Sequence, residues 1–594
     1  MTDFFYPYEQ KAFYILLPHF FYSFIMAYHS SFLKKTDYFL LTSLIILLIF
    51  PVQYVFRYLD DNRLTSWRWV FPGHDPAVIF FILVAGVIAA YLLSRYSFPE
   101  RYPAAFLLSA SYLSAVFFWR EPEVIIDASR YFTQAKHLEL YGFNYFVREW
   151  GGSINSWTDL PLVPFLYGLI FRFAGESRVF IQAFTTGLFS LTVLLTYLIG
   201  KSLWDEYTGF FAGLSLMGIP YLFTQVPLML VDVPAMFFLT LAAFTFIMAL
   251  ERCGVWIVVS PPAIFLAMLS KYSTWLMLSV LLVILTVYFI RKAEDRRKVF
   301  NRALIIWGIT GILLLTFVLY KIDVIWAQIN LLQEYQKPGL KRWGESFIST
   351  FFFQIHPLVS IYAVYSLYEA IRKKDISYTI IFCLLILVLL LQIRRARYIL
   401  IVFPMLALMA SYGMQGIRVI QVRRFLVYSI VVSSLVVSSL LFFPFLYKMG
   451  PVNLKDGGRY LDSLEGGSIE VLTVPGDDLN INPAASVPLL DIFTSRDLLY
   501  KYDPGFLPTF QRIKESPLRF TWEFQNPEYY TTDLKLFKEN RAMVLLSNGP
   551  VSQLTQDVVK KLERYKKTRT FASTTSIFRY SPVVMIYEPD PGAD

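Results

Sequence analysis

Three groups of charged residues interrupt a chain that carries little charge elsewhere. The first lies in "EVIIDASRYFTQAKHLELYG", where Asp127, Arg130 and Tyr131 stand at i, i+3 and i+4. On a helix they share one face. An interfacial helix whose acid and base simply pair is the competing reading, since such pairs are common and weak. The second is Asp232, in "QVPLMLVDVPAMFF". A carboxylate in such apolar company near a membrane boundary is costly and points to function. It also suits a helix start, because Pro234 follows closely. The third is "LLQIRRARYILIVFPML", with Arg394, Arg395 and Arg397, joined by Lys271 in "LAMLSKYSTWL". Guanidinium forks match phosphate oxygens; interfacial snorkelling is the bland alternative. Two acids facing several cations fit an anionic, membrane-borne substrate.

The elements that must position these residues are membrane helices. Of 594 residues, 56% are hydrophobic, 18% aromatic and only 16% charged. A soluble protein carries about 25% charged residues. Apolar runs of roughly 17–25 residues can cross a bilayer, and continuous runs read as helices rather than barrel strands. They fall at Ala12–Phe32, Tyr38–Phe56, Ala77–Leu93, Pro103–Trp119, Val179–Ile199, Gly209–Val226, Val233–Leu250, Val255–Leu269, Tyr272–Ile290, Ala303–Tyr320, Phe347–Ile371, Ile376–Ile393, Tyr398–Met414 and Phe425–Leu446, about 14 spans. The net charge of +10 reflects basic loops between spans, not a nucleic-acid partner. Two cysteines, Cys253 and Cys383, build neither a disulfide framework nor a metal cluster. The first residues lack the basic start of a cleavable signal peptide. No Walker loop, HExxH or Ser-His-Asp order is present.

The most basic short loop, Arg291–Arg302, is expected in the cytoplasm. Alternation then puts Lys34–Lys35, Arg372–Lys374 and Arg418–Arg424 on the same side. The other side receives the loop Arg120–Arg178, Asp232, Lys271, the loop Lys321–Ser346, the Arg394–Arg397 cluster and everything after Leu446. From about Lys448 the apolar density drops. "SIEVLTV", "RAMVLLS" and "VVMIYE" read as short strands, and "VSQLTQDVVKKLERYKK" as an amphipathic helix. The expected organisation is additional N-terminal spans over 1–100, a catalytic membrane region over 101–447 with an outer loop at 120–178, and an extracytoplasmic α/β domain over 448–594.

The order of these pieces resembles the GT-C class of glycosyltransferases. In particular it is similar to the dolichyl-phosphate-mannose protein mannosyltransferase superfamily, which includes the aminoarabinose transferase that modifies lipid A. The matching stretches run from about Pro103 to Gly413 and include "DASRYFTQAKHLELYG", "LPLVPFLYGLIFRFAG", "LVDVPAMFFLTLA", "LAMLSKYSTWL" and "RRARYILIVFPMLALMASYG". Many members carry a second acid directly after the first, where this chain has Ala128. Many carry a Lys where Asp159 precedes "LPLVP".

The resemblance implies a multi-pass membrane enzyme. It would transfer a hexose or pentose, with inversion, from a dolichyl- or undecaprenyl-phosphate carrier to an acceptor hydroxyl on a protein, lipid or glycan outside the cytoplasm. Asp127 would be the general base. Arg394, Arg397, Lys271 and Arg130 would hold the leaving phosphate, with Tyr131 and Tyr398 beside the substrate. Asp232 would orient a sugar hydroxyl or, with Asp127, hold a divalent ion; no other cofactor is implied. Tyr141, Tyr145, Trp150 and Trp157 offer faces to a sugar or anchors to the interface. The membrane would be the cell membrane of a prokaryote or the endoplasmic reticulum of a eukaryote. A polytopic transporter or flippase is the competing class, but no repeated halves are visible.

Overall fold

A computed structural model describes residues 34–58, 70–71, 74–336, 346–465, 467–476, 481–502, 508–516, 518–531, 541–551, 554–573, 575, 577 and 579–590. The apolar runs fold as helices, the one way an isolated segment can satisfy its backbone in lipid. Among the described residues eight are long and apolar enough to cross a membrane: Lys35–Val55, Pro76–Leu93, Arg178–Leu203, Asp232–Arg252, Tyr272–Arg291, Ala293–Tyr320, Ala396–Met414 and Ile420–Leu446. Pro103–Val116, Leu162–Ala174, Val255–Ser270 and Tyr378–Leu390 are shorter apolar helices. The chain is a multi-pass integral membrane protein. The run Ala12–Phe32 lies outside the described residues.

Two expected runs are broken, and proline explains both. The Glu206–Met217 helix stops before Ile219, which is extended ahead of Pro220. The Phe347–Ile371 run is divided where Ile355 and His356 become extended ahead of Pro357. A residue before proline is pushed out of the helical region. In the second case the His356 ring accepts a bond from the Leu358 amide at 3.1 Å and so caps the new helix.

Helices approach closely where side chains vanish. A Cβ on Gly209 would lie 2.2 Å from the Tyr197 carbonyl, and one on Gly413 would lie 2.3 Å from that of Tyr362. Small residues let membrane helices pack on van der Waals contact where the hydrophobic effect supplies little.

Beyond Leu446 the chain forms a five-stranded mixed sheet, in the order β2-β1-β3-β5-β4. The strands are β1 (Ile469–Thr473), β2 (Leu498–Tyr500), β3 (Met543–Asn548), β4 (Tyr565–Ala572) and β5 (Pro582–Pro589). β1 runs parallel to β2 and β3, while β5 is antiparallel to β3 and β4. Alternation sorts the central strands. Val471, Val544 and Ile586 join the core shared with the membrane region, and Leu545 and Met585 pack under the Gln556–Leu562 helix. That helix is shorter than expected, because Tyr565–Lys567 belong to β4. The domain docks on the 120–178 segment through Lys136, which pairs with Asp491 at 2.8 Å and Glu176 at 3.1 Å. Lys455 Nζ also donates to the Arg120 carbonyl.

Overpacking a close contact costs about 1–3 kcal/mol. Gly209→Val is therefore expected to lower the melting temperature of the purified protein, because the Arg178–Leu203 and Glu206–Met217 helices must separate. An unchanged melting curve would contradict the close approach.

Candidate active site

Three breaks in helical structure deliver the charged groups to one place. Asp127 stands at the start of the Ala128–Glu149 helix and makes no capping bond with its side chain. Its carboxylate is therefore not committed to the helix end. Lys271 is extended between the Val255–Ser270 and Tyr272–Met277 helices. Thr274 Oγ1 bonds the carbonyls of Ala267 and Lys271 there, at 2.6 Å each, and the Trp275 indole donates to Met268 at 2.7 Å. Such side-chain repair is what makes a break tolerable within a membrane. Arg397 lies on the short Ala396–Ile399 helix, just after the non-helical residues that follow Tyr378–Leu390.

One guanidinium joins the two acids. Arg397 Nε donates to Asp232 Oδ2 at 2.9 Å, and Arg397 Nη1 donates to Asp127 Oδ2. Lys271 Nζ holds the other oxygen of Asp232 at 2.6 Å. The side chain of Asp232 is 0% exposed and that of Asp127 is 18% exposed. The two carboxylates therefore differ in access: Asp127 can reach a substrate, whereas Asp232 lies behind the cations and orients them.

The pair anticipated between Asp127 and Arg130 is present but loose, at 3.9 Å. Arg130 is held more closely by Asp159, at 2.9 Å, and Gln134 donates to the second oxygen of Asp159 at 3.2 Å. Gln134 follows Arg130 by four residues, so both project from one helix face. Gln328 fixes the Asp159 backbone, donating to its carbonyl at 3.0 Å. Burial works to raise the Asp127 carboxyl, but Arg397 and Arg130 outweigh it and hold the group below the ordinary carboxylate range. Asp159 goes the other way. Burial, reinforced by Asp127 and only partly opposed by Arg130, pushes its carboxyl up to about 6.

These groups surround a cavity of about 410 Å³. Asp127, Arg130, Tyr131, Lys271, Arg397 and Tyr398 line it, as do Trp157, Asp159 and Arg395. Lys271 and Arg395 both lie over the Tyr398 ring, at 5.6 and 5.2 Å. Arg394 is exposed, donates to Gln392 at 3.4 Å and is not among the lining residues; Arg395 is buried and lines the cavity instead. The chain is not helical there, so no periodicity tells which arginine faces inward. Asp232 does not line the cavity either; it pairs with Arg397 and Lys271, which do. Of the aromatic candidates, Trp157 lines the chamber, whereas Trp150 is buried among Leu138, Phe146 and Ile154. Tyr141 and Tyr145 pack on each other with ring centroids 4.8 Å apart and planes tilted by 42°, and neither lines the cavity.

A divalent ion does not fit this donor set. Both candidate carboxylates converge on a guanidinium rather than on a shared vacancy for a cation. Among the described residues no group of three His, Cys, Asp or Glu side chains is placed to hold a metal ion.

Removing one partner of a buried ion pair costs about 3–5 kcal/mol. Arg397→Ala leaves two carboxylates facing each other and should melt well below the wild type. Asp232→Asn should recover part of that loss in the double variant. Strictly additive losses in thermal denaturation would contradict a shared network.

Residues 159–320 match the family described as Dolichyl-phosphate-mannose-protein mannosyltransferase. Among solved structures, ArnT from Cupriavidus metallidurans bound to undecaprenyl phosphate aligns with a TM-score of 0.51 at 12% identity, over 81% of this chain and 97% of that chain. The archaeal oligosaccharyltransferase AglB from Archaeoglobus fulgidus, in complex with an inhibitory peptide and a dolichol-phosphate, aligns with a TM-score of 0.47 at 11% identity, over 76% and 70%. No curated protein matches the chain. At 12% identity the likeness to ArnT speaks for the fold. The chain has a GT-C-like membrane fold and is similar to the dolichyl-phosphate-mannose protein mannosyltransferase superfamily.

Proposed function

We propose that the chain is a membrane glycosyltransferase that moves a sugar, with inversion, from a polyprenyl-phosphate carrier to an acceptor hydroxyl. The observation that carries this reading is the composition of the chamber: one accessible carboxylate, Asp127, set among Arg130, Lys271, Arg395 and Arg397. Four cations against two lining acids, Asp127 and Asp159, suit a substrate that brings negative charge. The fold shared with ArnT, solved with undecaprenyl phosphate, agrees with that class of donor.

In this reading the acceptor hydroxyl donates a hydrogen bond to Asp127. Its oxygen attacks the anomeric carbon from the face opposite the phosphate. The new carbon–oxygen bond forms as the bond to the phosphate oxygen breaks, and that electron pair stays on the phosphate. The hydroxyl proton passes to Asp127. The carrier enters as a diester and leaves as a monoester with one more negative charge. Fixed cations stabilise that charge without needing a proton donor. Arg397 and Lys271 are already oriented by Asp232 for this role.

The charge pattern also supports an orientation. The basic loops lie at the helix ends away from the chamber: Lys35 donates to Gln421, and Lys373 donates to Gln415 at 3.2 Å. By the positive-inside rule that end is cytoplasmic, and the chamber and C-terminal domain are outside. A cysteine at exposed Ser153 should therefore react with an impermeant thiol reagent on intact cells. Labelling only after permeabilisation would reverse the orientation.

The direct test is incubation of the purified protein with a panel of polyprenyl-phosphate sugars, reading release of the carrier phosphate. Asp127→Asn should still bind the carrier, since it removes a negative charge beside the phosphate. Turnover should fall by roughly 10²- to 10⁴-fold, the usual contribution of a general base. Because cations hold the Asp127 carboxyl low, the base stays ionised as pH falls, until its depressed pKa is reached. Arg130→Ala removes one of those cations and should move the acid limb of the pH–rate profile upward. A folded Asp127→Asn protein with near-normal transfer would remove Asp127 from the chemistry.

A further inference from the structure

One wall of the chamber comes from the C-terminal domain. Leu518, Phe520 and Tyr580 line it beside the charged groups. The Phe520 ring centroid lies 4.4 Å from Arg130 Cζ, a closer aromatic contact than the 5.6 Å from Arg130 to its own neighbour Tyr131. Phe520 sits on the short Arg519–Trp522 helix, which is fastened to the membrane region. Tyr335 OH donates to the Ser516 carbonyl at 3.0 Å and accepts from the Arg519 amide at 3.1 Å. Within the domain, Thr521 Oγ1 accepts from the Asn482 amide at 3.2 Å. The ring therefore has little freedom to leave Arg130.

Arg130 has two carboxylates within reach, Asp159 at 2.9 Å and Asp127 at 3.9 Å. The guanidinium is close to Asp159 and only loosely placed against Asp127. An aromatic face attracts a cation and fixes the plane in which it lies, most strongly where water is excluded. We propose that Phe520 is a positioning residue for transfer: the C-terminal domain, through this ring, keeps Arg130 on Asp159 and leaves Asp127 open to the acceptor hydroxyl. This rests on Asp127 being the base. It gives the C-terminal domain a part in turnover, not only in recognition or solubility.

The inference has an arm that does not depend on activity. Carboxyls react with a water-soluble carbodiimide when protonated, so labelling of Asp127 and Asp159 across a pH series, read by mass spectrometry, reports both titrations. Asp159 faces Arg130, Asp127, Tyr131 and Tyr272; Asp127 faces Arg397, Arg130, Arg395 and Tyr131. In Phe520→Leu, Arg130 is free to move toward Asp127. The Asp159 midpoint should then rise while that of Asp127 falls or stays. Phe520→Trp, which keeps an aromatic face, should restore both. In the full-length enzyme, Phe520→Leu should lower kcat by about 3- to 30-fold, the span of a cation–π contact, with carrier KM little changed. General loosening of the fold would instead return both groups toward the ordinary carboxylate range, lowering the Asp159 midpoint and raising that of Asp127, and that result, or unchanged midpoints, would overturn the proposal. If the wild type moves no sugar from any carrier, the reading of Asp127 as base fails, while the labelling still decides whether Phe520 holds Arg130.

Discussion

Arg397 is the charge on which the rest of the site depends. It is buried, and a buried cation persists only where anions meet it with good geometry. Asp232 and Asp127 do so from two different segments, one opening a membrane helix and one opening the helix of the outer loop. The bridge therefore fixes the outer loop against the membrane region at the point where chemistry is proposed. It also divides labour between two residues of one type. Asp232, enclosed and doubly paired, orients cations; Asp127, partly open, faces the chamber.

Helices alone could not bring these groups together. Lys271 and the arginines after Leu390 occupy interruptions in otherwise apolar helical runs. Non-helical backbone at membrane depth survives where protein or a water-filled cavity surrounds it. The local repairs by Thr274 and Trp275 meet that condition. The C-terminal domain closes the chamber from the other side, so the site belongs to both parts of the chain.

Much of this was legible from residue order, for identifiable reasons. Apolar runs must be helical in lipid, and the alternation of their ends puts Asp127, Asp232, Lys271 and the arginine cluster on one side. Three central strands were readable because buried strands are short continuous apolar runs, as in Val544–Leu546 and Val583–Ile586. What escaped lacks such a signal. β4, "YKKTRTFA", is an exposed edge strand whose charges read as a helix tail, and charged edges are a usual protection against unwanted pairing. β2 is only three residues long. The closer partner of Arg130 has no local signal: sequence spacing points to Asp127, while Asp159 arrives through a loop fixed by Gln328. The arginine that faces the chamber was not distinguishable where the backbone has no period. Phe520 lies 390 residues from the arginine it covers, and nothing local announces it.

The central claim is that this cation cluster receives a carrier phosphate beside Asp127. The most direct measurement is a structure of the protein with a polyprenyl phosphate bound. The account predicts phosphate oxygens within hydrogen-bond distance of Arg397, with Lys271 or Arg395 also engaged, Asp232 still paired and the Asp127 carboxylate turned toward the open chamber. A phosphate seated elsewhere, with Arg397 still bridging Asp127 and Asp232 unchanged, would contradict it.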